Sequence, residues 1–154
     1  MKNNLNWNKL DKCWKEYAEN NEAELKYNER NLFHAVKCEY EINIKTDFGK
    51  IKFIGVLWKS QQGHNKDKTN ILTKFVDGKS KQTLNINNSG FRNLFTQNRF
   101  KGIEKNIYQN FKNIGGKKLK LDNHILEIEL NKIISNQSEF EQITILLTLI
   151  KNYR

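Results

Sequence analysis

An alternation of apolar and polar residues constrains the fold of this chain more than any other feature. The apolar positions are Val36, Cys38, Tyr40, Ile42 and Ile44, with charged or polar residues between them. A period of two is that of a β-strand with one face toward a core. Asp47-Phe48-Gly49 then turns the chain toward Ile51 and Phe53. The pattern predicts two antiparallel strands.

A second pair of strands is predicted after a polar loop at residues 60–68. The segments TNILTKFV, residues 69–76, and KQTLNIN, residues 81–87, flank the dipeptide Asp77-Gly78. This dipeptide between apolar runs is a strong short-range hairpin signal. Joined to the first pair, these strands predict a four-stranded antiparallel meander.

Helical spacing marks both ends of the chain. Residues three and four apart share one face of a helix, and near the N-terminus the residues so spaced are Trp7, Leu10, Trp14, Tyr17 and Ala18, with Asn4 or Asn6 as a candidate N-cap. Near the C-terminus, Ser138 and Glu141 have the spacing of a capping box. The apolar residues that follow are Ile143, Leu146, Leu147 and Ile150. Both segments predict amphipathic helices, the last one well buried.

Two short helices are predicted between the meander and residue 115. Ser89 is a candidate N-cap, and the pattern is interrupted near Gly102. The apolar residues at helical spacing are Phe91, Leu94, Phe95, Ile103, Ile107, Phe111 and Ile114. Gly115 stands where a left-handed C-cap residue is expected.

The segment Gly115-Gly116-Lys117-Lys118 has the composition of a phosphate-binding loop but not its order. A P-loop runs from a strand through GxxxxGK[ST] into a helix, whereas this segment lies between a helix and a strand, with Lys118 in place of Ser or Thr. A β-hairpin explains it better. The predicted cross-strand pairs are Leu121 with Leu126, Leu119 with Ile128, Lys120 with Glu127, and Lys118 with Glu129.

These elements predict one α+β domain over residues 1–154. It contains an N-terminal helix, the meander, two short helices, a hairpin and a C-terminal helix. The first twelve residues, MKNNLNWNKLDK, lack the apolar core of a secretory signal, and the longest apolar run, residues 143–150, is too short to cross a bilayer. A cytoplasmic location with reduced cysteines is expected.

No motif with specific chemistry is present. Asp47-Phe48-Gly49 lacks the other kinase motifs, and Glu24-Leu25-Lys26 is too common a triplet to indicate a nuclease. The two cysteines, Cys13 and Cys38, form no CxxC pair, and the histidines His34, His64 and His124 lack zinc-site spacing. We predict no catalytic residue, metal or cofactor.

The distribution of charge is the one functional signal. Net charge is −1 over residues 1–44, +13 over 45–120 and −2 over 121–154. A codon bias toward lysine would act along the whole chain and does not explain this segregation. The basic block suggests a surface for phosphates or an acidic protein.

We therefore expect a non-enzymatic binding or regulatory module with a basic surface for an anionic partner, nucleic acid or an acidic protein. The candidate anion-binding residues are Lys59, Lys66, Lys68, Lys79, Lys81, Arg92, Arg99 and Lys101. The alternatives are a small enzyme with a site assembled from dispersed residues, and a homo-oligomeric structural protein that associates through its C-terminal helix.

Overall fold

The computed structural model describes residues 7–60, 67–76, 82–88 and 99–153. Within these ranges the architecture is α+β: a seven-stranded antiparallel sheet and three helices. In chain order the elements are α1 (Trp7–Asn20), β1 (Leu25–Leu32), β2 (Ala35–Thr46), β3 (Gly49–Ser60), β4 (Lys68–Phe75), β5 (Leu84–Asn87), α2 (Ile103–Asn113), β6 (Gly116–Asp122), β7 (Ile125–Leu130) and α3 (Gln137–Tyr153).

The sheet has the strand order β1-β2-β3-β4-β7-β6-β5. Strands β1 to β4 form a meander in which each strand pairs with the next. Strand β7 then pairs with β4, so that Ile128 lies opposite Ile71. This junction joins the meander to the three strands β7, β6 and β5 in one continuous sheet.

The meander has four strands, as predicted, but they are β1 to β4 and not β2 to β5. The segment LKYNERNL, with no apolar alternation along its full length, forms β1. Strand β5 leaves the meander and pairs with β6, with Ile86 opposite Leu119. The prediction that β4 and β5 form a hairpin is therefore wrong, because β7 occupies the edge of β4 that this prediction gives to β5. Asp77 and Gly78 themselves lie outside the described residues. A local turn signal carries no information about such a distant competitor.

The second hairpin is confirmed with its register. Lys118 pairs with Glu129, Leu119 with Ile128, Lys120 with Glu127 and Leu121 with Leu126. A two-residue loop, Asn123-His124, joins the strands. Gly115 precedes them with φ +78°, as expected of a left-handed C-cap. This segment is a hairpin, not a phosphate loop.

The terminal helices are confirmed, but the predicted cap of α3 is displaced by two residues. Helix α3 begins at Gln137, and the Asn136 side chain accepts a hydrogen bond from the Glu139 backbone N–H at 3.0 Å. The Glu139 carboxylate in turn accepts one from the Ser135 N–H at 2.7 Å. Asn caps helices as well as Ser does. The cap is therefore formed by Asn136 and Glu139 instead of Ser138 and Glu141.

The predicted pair of short helices is matched by α2 alone in the described ranges. Helix α2 follows Gly102, where the predicted pattern is interrupted. The first helix of the pair, with Phe91, Phe95 and the Ser89 cap, lies outside the described residues, as do the N-cap candidates of α1. No described helix is long and apolar enough to cross a membrane.

The core lies between the helices and one face of the sheet. Phe140 of α3 is at its centre: its ring stacks on Tyr17 at 3.7 Å between centroids and meets Trp14 and Phe53 edge-on. The Trp14 indole N–H donates to the Ile134 carbonyl at 2.9 Å. Along the central strands every second residue is buried, as the alternation in the sequence predicts. The intervening side chains occupy the other face.

Candidate functional site

The face of the sheet opposite the helices is here called the open face. Cross-strand register assigns its residues, because directly paired residues lie on the same side of a sheet. Val56 lies on the open face. It is only 5% exposed but does not belong to the core cluster under the helices. Around it, the open face presents mostly polar side chains.

Cations outnumber carboxylates on the open face. The cations placed there by register are Lys26, Arg30, Lys37, Lys45, Lys50, Lys52, Lys68, Lys74, Lys118 and Lys120. The carboxylates are Glu39, Glu41, Asp122, Glu127 and Glu129. Two of the lysines are used in ion pairs, Lys52 with Glu41 at 3.0 Å and Lys37 with Glu39. The open face therefore carries a net positive charge.

Three lysines form a row across adjacent strands. Lys45 of β2 lies directly opposite Lys50 of β3, and Lys50 lies directly opposite Lys74 of β4. All three are exposed, and none forms an ion pair with a residue in the described part of the chain. Like charges in direct cross-strand positions destabilise a sheet. This set, the lysine row, therefore has an electrostatic cost that the fold does not require.

A groove of about 340 Å³ lies on the open face beside the lysine row. It crosses β4, β7, β6 and β5. Its polar lining side chains are Asn70, Asn85, Asn87, Lys118, Lys120, Glu127 and Glu129, and Leu72 supplies an apolar side chain. The groove therefore combines amides, ammonium groups and carboxylates.

A second cavity of about 540 Å³ adjoins the groove, and Glu129 lines both. We call it the tryptophan hollow, because Trp58 lines it, with the Lys37 ammonium 5.8 Å from the ring centroid. The Trp58 backbone N–H donates to Asp67 at 2.8 Å. Burial raises the pKa of Asp67, although that hydrogen bond opposes the shift.

Glu129 lies among three lysines of this surface, Lys117, Lys68 and Lys118. Its carboxylate accepts a hydrogen bond from the Lys117 ammonium at 2.8 Å, which lowers the pKa of Glu129 below its ordinary value. The charges of Lys68 and Lys118 lower it further. Lys117 reaches the open face because the strand pairing shifts between Gly116 and Lys118. Glu129 is thus held ionised between the two cavities.

The structure disperses the described members of the predicted anion-binding set. Lys68 lies on the open face and lines the tryptophan hollow. Lys59 points to the opposite side, where it meets Glu29 at 3.8 Å and lies over the Trp7 ring. Arg99 and Lys101 are exposed just before α2. Lys66, Lys79, Lys81 and Arg92 lie outside the described residues.

Sequence reasoning missed the lysine row, although a usable signal was present. Lys45 continues the polar positions of the alternation that ends at Ile44, and Lys50 and Lys74 alternate with apolar residues of their own strands. Parity along each strand therefore assigns them to the solvent face. Their direct opposition depends on the pairing of three strands.

The two histidines in the described part of the chain lie far apart. His34 is exposed in the turn between β1 and β2. His124 lies at the other end of the sheet, where its carbonyl accepts the Phe75 N–H at 2.9 Å, and His64 is not among the described residues. Within the described ranges no group of His, Cys, Asp or Glu side chains has a metal-binding arrangement.

A different polar cluster lies where α1 covers the first strands. The Tyr27 hydroxyl donates to Glu29 at 2.6 Å, the Cys38 thiol lies 3.7 Å from the same carboxylate, and the Tyr40 hydroxyl donates to Asp11. Burial is the main cause that raises the pKa of both tyrosines. Cys38 is fully buried. These groups satisfy one another and fix the edge of the sheet on α1.

The apolar side of α3 is used inside the chain. Ile143, Leu146, Leu147 and Ile150 are each 0% exposed, whereas Ile145 on the outer side is 54% exposed. Association of copies through α3 would therefore use its outer side.

Comparison of the chain with protein-family models, with curated proteins and with solved structures finds no match.

Proposed function

We propose that this protein is a non-enzymatic binding module that holds nucleic acid on the open face of its sheet. The lysine row is the observation that carries the proposal. Opposite charges in cross-strand pairs stabilise a sheet. The hairpin has such pairs, with Lys118 opposite Glu129 and Lys120 opposite Glu127. Among the described residues Lys45, Lys50 and Lys74 lack such partners, and a bound polyanion supplies the missing charge.

The layout of the charges favours a nucleic acid over an acidic protein. Adjacent strands are about 4.8 Å apart, so the lysine row places three lysines at regular backbone spacing across the sheet. A phosphate backbone is a regular line of negative charge. Lys118 and Lys120 add two cations farther along the same face. The lysine row is therefore complementary to a phosphate backbone.

Charge reversal tests the proposal. The variant K45E/K50E/K74E removes the lysine row, and the matched control K15E/K105E/K112E makes the same change in charge at exposed positions of α1 and α2. Binding of a fluorescent oligonucleotide is followed by anisotropy from about 50 to about 200 mM salt. The row variant should lose binding and lower the salt slope by about 0.7 for each single-strand phosphate contact removed. The control should retain most of both.

Three results would overturn the proposal. One is no binding of the parent protein at low salt. Another is equal loss in the two variants, which would reduce the effect to net charge. The third is binding of polyglutamate as tight as that of the oligonucleotide, which would indicate an acidic protein as the partner.

A further inference from the structure

We infer that the groove beside the lysine row takes the unpaired bases of a single nucleic acid strand while the lysines hold its phosphates. The inference rests on the proposed function and names the ligand class. It begins from the groove's lining, which combines three asparagine amides, Asn70, Asn85 and Asn87, with two carboxylates, Glu127 and Glu129.

The carboxylates point to bases. Glu127 and Glu129 lie opposite Lys120 and Lys118 in the hairpin, and Glu129 also accepts a hydrogen bond from Lys117. A carboxylate has about four acceptor sites, so both side chains keep acceptor capacity in the groove, where they repel phosphates. A carboxylate accepts hydrogen bonds from the exocyclic amino group of cytosine, and an asparagine amide pairs with adenine through one donor and one acceptor. The lining is therefore complementary to base edges that carry amino groups.

The spacing allows phosphates and bases of one strand to be bound together. Leu72 lines the groove, and Lys74 of the lysine row is two residues farther along the same strand and face. Two residues of a strand span about 6.7 Å. At the other end the groove meets the tryptophan hollow, where Trp58 offers a ring for stacking. Basic side chains combined with an aromatic platform are typical of single-strand binding surfaces.

A duplex does not fit this arrangement. Its base edges are reached only within the grooves, and the major groove admits a helix or a two-stranded ribbon. The open face is part of a seven-stranded sheet, and the groove is a concavity in that face. A duplex would meet the lysine row through phosphates and leave the groove unused.

The test uses a change that leaves the charge constant. N70A/N85A removes two of the three asparagine amides from the groove, and N28A/N43A removes two amides from the open face outside it. The ligands are oligo(dA), oligo(dC), oligo(dT) and an RNA strand of about 12 nucleotides, a duplex, and inorganic polyphosphate. N70A/N85A should weaken oligo(dA) binding by about tenfold or more and leave polyphosphate binding unchanged. N28A/N43A should change neither.

A second variant, E127Q, distinguishes binding of bases from binding of phosphates, because its effects on the two should have opposite signs. Loss of a negative charge should tighten polyphosphate binding and reduce the preference for oligo(dC) over oligo(dT). Equal affinity for single strand, duplex and polyphosphate, or equal effects of the two amide variants, would overturn the inference and leave the proposed function standing. Absence of binding to every polyanion would overturn both.

Discussion

Gly55 lies directly beneath the indole ring of Trp14, so closely that a Cβ at residue 55 would be 2.5 Å from Cζ2 of that ring. No ordinary contact of a Cβ is that short. The indole has little freedom to move, because it is 0% exposed and its N–H is bonded to the Ile134 carbonyl. The close approach of α1 to the sheet therefore depends on a residue without a side chain.

We expect Gly55→Ala to destabilise the fold by about 1–3 kcal/mol, the usual cost of overpacking a core. Urea denaturation measures the change. The double variant G55A/W14F removes the ring atoms that clash, so the cost of G55A should be smaller in the W14F background. Identical costs in both backgrounds would mean that the indole is not what the methyl group meets.

Lys50→Glu should raise stability while it weakens binding. The substitution converts two like-charge cross-strand pairs, with Lys45 and Lys74, into opposite-charge pairs, a gain of about 1 kcal/mol for exposed side chains. Thermal unfolding at low and high salt measures it, and the gain should shrink as salt screens the pairs. A lower melting temperature for K50E would contradict the arrangement of the lysine row.

The Cys13 thiol should be unreactive in the folded protein. Burial, together with smaller contributions from the charges of Glu139 and Glu16, raises the pKa of Cys13 to about 11. Only the thiolate reacts, so labelling by a maleimide at neutral pH requires the core to open. In a C38A background the labelling rate should follow the urea dependence of unfolding. Rapid labelling without denaturant would show that α1 leaves the sheet locally.

Acid should remove the stability contributed by the Lys117–Glu129 pair. Because Lys117 lowers the pKa of Glu129 in the folded state, the contribution is fully present above the ordinary glutamate pKa of about 4.3. It is lost as pH falls through the lower folded value. The stability difference between the parent protein and K117M should therefore vanish in acid. K105M, on the exposed side of α2, should show no such pH dependence.

Sequence patterns sufficed where both partners of a contact lie close together in the chain. The hairpin of β6 and β7 was predicted with its register because Leu119 and Ile128 alternate on one face and Lys120 and Glu127 on the other. The pairing of β5 was wrong because the choice between β4 and β6 depends on where β7 lies. Local patterns do not contain that competition.

The same limit applies to the functional residues. Excess charge between residues 45 and 120 is visible in the sequence, but the face that each lysine occupies follows from its parity in a strand. Lys59 was a candidate and lies on the helix side with Glu29. Lys50 was not, and it is at the centre of the lysine row. A one-residue change in parity decides between these two places.

The pairing of β4 with β7 also limits the order in which the nascent chain can fold during synthesis. Strands β1 to β4 become available to one another as soon as they leave the ribosome, since each pairs with its neighbour. The second edge of β4 can pair only after β7 has been synthesised. The hydrogen bond from Trp14 to Ile134 can form only after residue 134 has been added. During that interval the nascent sheet exposes an unpaired edge, a template for association with another chain. Completion of the last third of the polypeptide is what closes it.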